Sequence, residues 1–478
     1  MRKIETTRQI AYTLALTVCG SSGVHAEVPK IEEATGGMEQ AALAAGLQFP
    51  LDTVGYREKE FLLSGTAASY APQGGQLLPT DGKWEVDAGD SATYTTRAIV
   101  YRPIKDEAFN GTVIVEWMNV TSGSDSSPIW IYTHNELIRE GYILVSLSAQ
   151  AAGVESIKEK DLDRYGRLQH PGDIYSYDIF SQAGQAVRAH AETLLVGLKP
   201  QRVLAAGESQ SAYRLATYVN AVQPKVSVYD GFLLQSRAAK AAYLASPEDV
   251  SDKTKIREDL SVPVLVFQSE TDVNEVARQP ETSTYRLWEV AGTAHFDAYG
   301  GGFGLADMGD GQGALHAIKA LQEPPSSIFG LINCDLPINT GPMNFVISAA
   351  VHALNEWVRT GVPPATTDRL QATDFKLYNP EFVRDDIGIA RGGIRTPFVD
   401  APLATLSGTG NAGDGGWFCQ LFGTTRPLDT KRLNSLYPTR QAFIAEWTRA
   451  TENAVSRGHI RPVDGQMLIE AAKNIRLN

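Results

Sequence analysis

Short apolar runs alternate with longer amphipathic stretches over the first three quarters of the chain. Strands are predicted for the apolar runs at 61–63, 94–101, 112–118, 142–148, 203–206, 226–234, 262–268 and 285–290. Helices are predicted from 3.6-residue spacing at 128–139, 176–198, 212–222 and 345–359. This alternation predicts an α/β fold with a mostly parallel sheet covered by helices on both faces.

The pattern weakens beyond about residue 365. Residues 368–427 are rich in Gly, Asp and Thr without a clear period, and two amphipathic helices are predicted at 439–457 and 463–476. Because this part lacks apolar strands for a sheet of its own, we expect a main domain over 27–365 and a C-terminal extension over 366–478 docked on it.

The first 26 residues have the features of a secretory signal. Arg2, Lys3 and Arg8 precede a short apolar stretch, and Val24-His25-Ala26 resembles a small-residue cleavage pattern. The apolar stretch is shorter than the ~20 residues that span a bilayer. We therefore expect removal of residues 1–26, export to the periplasm or the exterior, and no integral membrane segment in the mature chain.

Charge and cysteine content narrow the possible partners and cofactors. The 478 residues carry a formal net charge of −12 without a Lys/Arg-rich block, so no nucleic-acid partner is expected. Cys19 lies in the signal, and in an oxidising compartment Cys334 and Cys419 are expected to form a disulfide, with two unrelated buried thiols as the alternative. No HExxH or CxxC spacing occurs, and neither a metal nor another cofactor is expected. The sequence gives no indication of oligomeric state.

The stretch "VLAAGESQSAYRLATYVN" at 203–220 places a Gly-x-Ser-x-small corner between a strand and a helix. Such a sharp corner exposes the Ser209 hydroxyl, and the N–H of Gln210 at the helix N-terminus can bind a developing negative charge. Ser211 stands where the usual motif has its second glycine. It is the alternative nucleophile, although its position in the helix favours a hydrogen bond to its own backbone. Ser209 is therefore predicted to be the nucleophile.

A nucleophilic serine needs a base, and the base needs an orienting carboxylate. Asp272 follows the strand at 262–268 and His295 follows the strand at 285–290, so Ser, Asp and His come in the chain order of α/β-hydrolases. Glu270 is the alternative acid.

Two further assignments depend on position alone. His170 and His316 are predicted in loops and are therefore the alternative bases. The second oxyanion N–H is expected from Asn119 or Val120, in the loop after the strand at 112–118.

Several longer stretches resemble one group of proteins. The stretches are "GESQSAYRLATYVNAV", "HNELIREGYILVSLSAQ", "HPGDIYSYDIFSQAGQAVR", "LWEVAGTAHFDAY" and "GGIRTPFVDAPLATLSG". In these stretches, the chain resembles a group of large secreted or periplasmic bacterial α/β-hydrolases. The resemblance implies the α/β-hydrolase fold and an esterase-type site at Ser209, His295 and the acid after the strand at 262–268.

The expected activity is hydrolysis of a small-molecule or polymeric carboxylic ester through an acyl-enzyme intermediate. The alternatives are a catalytically inert binding protein of the same fold, and an acyltransferase or peptidase that uses the same three residues.

Overall fold

A nine-stranded sheet forms the centre of the computed structural model, which describes residues 27–37 and 41–477. Its strands β1 to β9 are Lys30–Glu33, Tyr56–Pro72, Val86–Pro103, Thr112–Trp117, Ile143–Leu147, Arg202–Glu208, Gly231–Gln235, Val264–Ser269 and Tyr285–Val290. The spatial order is β1-β2-β3-β5-β4-β6-β7-β8-β9. β1, β2, β3 and β5 pair antiparallel in turn, whereas β5, β4, β6, β7, β8 and β9 pair parallel, which confirms the predicted α/β fold. The predicted signal at 1–26 lies outside the described residues.

Helices cover the sheet on both faces and continue into the C-terminal part. The helices α1 to α14 are Pro128–Glu140, Ala151–Lys160, Leu162–Tyr165, Ser176–Ala189, Ala191–Leu194, Gln210–Thr217, Gln223–Val226, Gln312–Gln322, Met343–Thr360, Pro397–Asp400, Trp417–Leu421, Thr430–Leu436, Arg440–Ser456 and Pro462–Ala472. Three antiparallel hairpins add strands β10 to β15, which are Ser327–Ile328, Ile332–Asn333, Ala372–Asp374, Glu381–Phe382, Ala404–Ser407 and Thr424–Pro427.

The central strands read as continuous apolar runs because both of their faces are buried. In β4, Val113 and Val115 enter the core beneath α4 and α6, whereas Ile114 enters the core beneath α1 and α9. Burial of a Val or Ile side chain contributes about 1.5–3 kcal/mol. The alternation therefore fixes the strand register, since a shift by one residue would exchange the two faces.

One predicted strand begins later than expected. The apolar run at 226–234 is a strand only over β7, because α7 ends at Val226 and Ser227 follows in the left-handed region with φ 49°. Pro224 occupies the first turn of α7, a position that favours helix.

The predicted helix at 176–198 is also interrupted. α4 ends at Ala189, and His190 leaves helical geometry with φ −111° and ψ 32° before the short α5. Val196 and Gly197, with φ 49° and 88°, then reverse the chain ahead of β6.

The C-terminal part packs against the main domain instead of forming a separate body. Two ion pairs join α14 and its N-cap to α1: Arg461 Nε lies 2.9 Å from Glu136 Oε1, and Arg139 Nη1 lies 3.0 Å from Asp464 Oδ1. Glu136 is fully buried at the centre of this cluster.

The predicted disulfide between Cys334 and Cys419 is present. It joins the segment after β11 to α11, so it connects the main domain to the extension. In the described part of the chain, every helix is too short or too polar to cross a membrane.

Candidate active site

A sharp corner between β6 and α6 carries Ser209. Its backbone has φ 56° and ψ −120°, a strained conformation for a residue with a side chain, and its N–H donates to Gln235 O at 2.9 Å. Gly207 makes the corner possible, because a Cβ there would lie 3.0 Å from both Leu215 Cδ1 and Ser211 Cβ. The glycine therefore allows α6 to fold back closely along β6, which places the Ser209 hydroxyl at the carboxyl edge of the sheet.

Ser209, His295 and Asp272 form a hydrogen-bonded series. His295 Nε2 lies 2.8 Å from Ser209 Oγ, and His295 Nδ1 lies 2.6 Å from Asp272 Oδ1. The second oxygen of Asp272 accepts a hydrogen bond of 2.5 Å from the Ser269 hydroxyl. All three of these side chains are largely buried. The structure thus brings together the three residues selected from the sequence.

The alternative acid, Glu270, points elsewhere. Its carboxylate accepts hydrogen bonds from the N–H groups of Gly292 at 2.7 Å and Gly408 at 3.0 Å. Burial raises the pKa of Glu270, although Arg384 opposes the shift. Glu270 therefore links the C-terminal extension to the loop that contains His295.

The alternative nucleophile is also engaged elsewhere. Ser211 is fully buried and donates a hydrogen bond of 3.1 Å to Met118 O at the end of β4. The expected bond to its own backbone was wrong, because the hydroxyl donates to the residue that follows β4 instead.

The alternative bases have partners outside the site. His170 Nε2 lies 3.0 Å from Ala149 O. His316 was predicted in a loop but lies within α8, where its ring stacks on Phe303 with centroids 5.6 Å apart.

Two free N–H groups lie where the sequence predicted oxyanion donors. Within residues 41–477, neither the Gln210 N–H at the start of α6 nor the Val120 N–H has a hydrogen-bond acceptor. The Asn119 N–H, in contrast, donates to Ser126 O at 2.9 Å. Of the two candidates in the loop after β4, Val120 is therefore the available one.

A second carboxylate lies beside His295. Glu208 Oε1 is 3.2 Å from His295 Nε2, and Glu208 Oε2 accepts a hydrogen bond of 3.0 Å from Asn119 Nδ2. Sequence reasoning missed this contact, because the residue before the nucleophile is at the end of β6 and its side-chain direction depends on the turn.

Burial and charge shift the pKa values of this pair upward. Burial raises the pKa of Glu208 to about 7, although His295 and Asn119 oppose the shift. Burial lowers the pKa of His295, but the carboxylates of Asp272 and Glu208 outweigh it and raise the pKa to about 9. The site therefore favours an imidazolium held between two carboxylates.

A cavity of about 270 Å³ opens at Ser209 and His295. Its polar lining residues include Asn119, Thr121, Ser122 and Ser126. Five of its apolar lining residues, named here the apolar wall, are Ile328, Ile332, Phe418, Leu421 and Phe422. The part of the chain that the structure describes holds no cluster of three or more His, Cys, Asp or Glu arranged for a metal ion.

The arrangement as a whole has the parts needed for nucleophilic chemistry. It has a hydroxyl at the carboxyl edge of the sheet, an imidazole within hydrogen-bond reach of it, a carboxylate on the other ring nitrogen, and, on the next residue, the Gln210 N–H, which has no acceptor among the described residues. A sequence-family model described as an alpha/beta hydrolase domain matches residues 26–470. The chain belongs to this α/β-hydrolase family. The match includes most of the C-terminal extension, so the family domain extends well beyond the main domain predicted at 27–365.

Two solved structures that resemble this chain are distant from it in sequence. A serine hydrolase of Xanthomonas campestris described as having no lid is 15% identical, with a TM-score of 0.26 over 45% of this chain and 85% of that one. Est1E of Butyrivibrio proteoclasticus is 12% identical, with a TM-score of 0.27 over 47% of this chain and 88% of that one. No curated protein sequence matches significantly. Likenesses this distant say nothing about substrate.

The α/β-hydrolase site also includes side chains from the C-terminal extension, which the sequence did not predict. The Tyr378 ring meets the His295 ring edge to face with centroids 6.1 Å apart, and Tyr378 Oη lies 3.1 Å from Tyr213 Oη of α6. Phe418, Leu421 and Phe422 of the apolar wall come from the same extension. The extension was expected to dock on the core, and the structure adds that it completes the site.

One glycine could have indicated this close approach. A Cβ on Gly408 would lie 2.5 Å from Glu270 Cβ and 2.7 Å from Thr271 N, so only glycine fits against the loop after β8. A glycine-rich stretch without periodicity is thus a signal of tight backbone contact here, although the sequence does not say with which segment.

Proposed function

We propose that this protein is a serine hydrolase that cleaves a carboxylic ester through an acyl-enzyme intermediate, with Ser209, His295 and Asp272 as its catalytic residues. The observation that carries the proposal is the continuous series of hydrogen-bond distances from Ser209 Oγ through His295 to Asp272 Oδ1, 2.8 and 2.6 Å. Both distances lie within the range required for proton transfer by a general base.

In the first half of the reaction, Ser209 Oγ attacks the ester carbonyl carbon while His295 Nε2 accepts the hydroxyl proton. The N–H groups of Gln210 and Val120 stabilise the oxyanion that forms on the carbonyl oxygen. His295 then returns the proton to the leaving alcohol, and the acyl group stays on Ser209.

In the second half, a water molecule replaces the alcohol. His295 accepts a proton from this water, which attacks the acyl carbon, and the acid leaves as Ser209 Oγ recovers its proton. Asp272 orients the ring through Nδ1, and Glu208 adds a second negative charge beside the imidazolium that forms in each half.

Replacement of the nucleophile is the direct test. We expect Ser209→Ala to abolish covalent labelling by a fluorophosphonate and to lower hydrolysis of p-nitrophenyl butyrate at least about a thousandfold, because among the described residues no other hydroxyl is hydrogen-bonded to the His295 ring. Labelling can be followed by intact-protein mass spectrometry.

Ser211→Ala is the matched control, since it removes a hydroxyl two residues away that donates to Met118 O. This variant should keep its label. Labelling that survives in Ser209→Ala and disappears in Ser211→Ala would identify Ser211 as the nucleophile. A wild-type protein that neither labels nor turns over any ester would contradict the hydrolase proposal and favour a binding protein.

A further inference from the structure

The apolar wall is built from two segments far apart in the chain. Ile328 and Ile332 belong to the β10–β11 hairpin, whereas Phe418 and Leu421 belong to α11. The two cysteines that join these segments are separated by 85 residues. A two-stranded hairpin and a five-residue helix are each too short to be stable alone. Their relative position therefore depends on the contacts between them and on the loop after β9, where Phe296 N–H donates to Leu421 O at 3.2 Å and Gly301 O accepts from Phe329 N–H at 3.3 Å.

The disulfide lies at the centre of those contacts. Cys334 directly follows β11, and Cys419 lies within α11. Both cysteines are buried in one cluster with three members of the apolar wall, Ile328, Leu421 and Phe422. Hydrogen bonds also join the two segments: Asp335 N–H donates to Ala412 O at 2.7 Å, Asn339 N–H donates to Phe422 O at 2.9 Å, and Gly415 N–H donates to Asn333 O at 3.2 Å.

The cavity beside this wall is small and carries little charge. Among the described residues that line it, Glu208 and His295 are the ones that ionise, and they are already within 3.2 Å of each other. At the ~30 Å³ that each water occupies in the liquid, 270 Å³ corresponds to roughly nine non-hydrogen atoms. An anionic group would meet Glu208 without a lysine or arginine in this lining to balance it.

Aromatic side chains continue from the cavity to its mouth. Phe329, at the tip of the β10–β11 hairpin, lines the cavity and is 46% exposed. Trp417 is 47% exposed and stacks on Phe418 with ring centroids 4.3 Å apart. Exposed rings grouped at a cavity mouth are typical of a binding site for apolar groups.

We propose that the disulfide-joined apolar wall makes this site selective for esters that carry a neutral apolar group of about one six-membered ring on one side of the scissile carbonyl. This proposal rests on the ester hydrolase function proposed above and adds the substrate class. Within it, Phe418 and Ile332 determine specificity by contacting the group, and the Cys334–Cys419 disulfide is a positioning element that acts through the wall.

The test compares methyl acetate with esters in which one group, on the acyl or the alcohol side of the carbonyl, is changed. Methyl acetate is the small reference, methyl cyclohexanecarboxylate and cyclohexyl acetate place a neutral ring on the acyl or the alcohol side, and methyl hydrogen succinate is the anionic member. Hydrolysis is followed by pH-stat titration to give kcat/KM. We expect the wild-type protein to prefer one of the two ring esters over methyl acetate and to disfavour the anionic ester.

Truncation of the wall should lower the preference selectively. Phe418→Ala and Ile332→Ala should each reduce kcat/KM for the preferred ring ester roughly tenfold to a hundredfold, the loss expected when contact with a buried ring is removed, while methyl acetate changes by less than about threefold. Both side chains are only half-buried, so the variants should fold. Phe109→Ala is the matched control, since Phe109 is half-buried at the opposite end of β4 and outside the cavity.

The disulfide is tested by the double variant Cys334→Ser/Cys419→Ser and by reduction of the wild-type protein. Both should show the same selective loss for the ring ester, and reductant should not affect the double variant further. A lower Tm with unchanged selectivity would limit the disulfide to a stabilising role and overturn its part of the proposal. Equal losses for ring ester and methyl acetate in the wall variants would overturn the specificity assignment.

Binding to an inactive variant separates failure of this proposal from failure of the hydrolase function. Cyclohexyl acetate can be titrated into Ser209→Ala by calorimetry, where no turnover interferes. Weaker binding when Phe418→Ala is added to this variant supports contact between the apolar wall and the ring, even if the wild-type protein hydrolyses no ester. Hydrolysis by the wild-type protein without any dependence on the wall contradicts the selectivity and leaves the hydrolase function standing.

Discussion

At the scale of single residues, Glu208 is the feature that distinguishes this site from a simple Ser-His-Asp arrangement. Its carboxylate lies 3.2 Å from the same ring nitrogen that faces Ser209, and the Asn119 amide fixes its other oxygen. A neutral His295 accepts the Ser209 proton, whereas a protonated one can share its Nε2–H between Ser209 and Glu208. Glu208 therefore stabilises the charged ring. This stabilises the imidazolium that forms during the reaction, but it also keeps the ring of the resting enzyme protonated to higher pH.

The pH dependence of activity should report this balance. Because neutral His295 is required and its pKa is raised to about 9, kcat/KM for p-nitrophenyl butyrate should rise from pH 6 toward about pH 9. Glu208→Gln removes one of the two charges that raise this pKa, so the midpoint of the rise should move down by about one unit. Below pH 7, where Glu208 is itself largely protonated, the variant and the wild-type protein should converge. A pH profile that Glu208→Gln leaves in place would show that the Glu208 charge does not reach His295.

At the scale of elements, the site is formed by the loops and the helix start at the carboxyl ends of β6, β8 and β9. Parallel strands bring their carboxyl ends to one edge, so residues 209, 272 and 295 meet although they are far apart in the chain. The loop after β8 carries two carboxylates, and the structure separates their roles. Asp272 contacts His295, whereas Glu270 contacts the backbone of the loop after β9 and of the extension.

The two carboxylates should respond differently to amide substitution. Asp272→Asn should lower kcat on the order of 10⁴-fold, the size of effect known for a mis-oriented histidine in a serine protease, with little change in Tm. Glu270→Gln should keep kcat within about tenfold but lower Tm, because one oxygen of its carboxylate becomes an amide nitrogen that cannot accept from Gly292 or Gly408. Steady-state kinetics and thermal unfolding of both variants measure this. If Glu270→Gln were the variant with the larger loss of kcat, the assignment of the acid would be wrong.

The elements also show how much of the fold and of the site the sequence predicts. Strands β4, β6, β8 and β9 lie within two residues of their predicted ends, because burial on both faces makes their apolar runs unambiguous. The same rule failed at residues 226–230, because the short helix α7 ends at Val226 and Ser227 then turns the chain in the left-handed region before β7 begins. Ser209, Asp272 and His295 were found by their position after strands, whereas Tyr378 and Phe418 were not, because the extension has no periodicity that places it over the sheet edge.

At the scale of the whole molecule, the extension and the main domain share both the core and the site. The apolar wall, the Tyr378 ring and the backbone N–H of Gly408 all involve the extension, and two ion pairs to α1 hold its last helix in place. Acidic side chains are also buried inside the molecule: Glu116, Glu208 and Asp297 have their partners within the main domain, and Glu136 pairs with Arg461 of the extension. Burial raises the pKa values of Glu116, Glu136, Glu208 and Asp297 to about 7.

Raised carboxyl pKa values make the folded state retain protons that the unfolded chain releases, so stability present at low pH is lost as pH rises through about 7. The raised pKa of His295 also makes stability fall as pH rises, up to about pH 9. The pKa of His459 is lowered to about 4, so this residue makes stability rise with pH, but only below its unfolded pKa of 6.5. Above pH 7 the raised groups therefore dominate, and Tm should fall steadily from pH 7 to pH 9 in thermal unfolding at constant ionic strength.

Asp297 allows this expectation to be tested one group at a time. It is fully buried, one oxygen accepts from the Tyr132 hydroxyl at 3.0 Å, and the other has no partner within residues 41–477. Asp297→Asn keeps the shape of the protonated carboxyl without its charge, so the Tm of the variant relative to wild type should increase by a few degrees between pH 5 and pH 8. Asp310→Asn, at an exposed aspartate in the same region of the chain, should follow the wild-type curve at every pH. A Tm difference for Asp297→Asn that stays constant with pH would mean that Asp297 holds no extra proton in the folded protein.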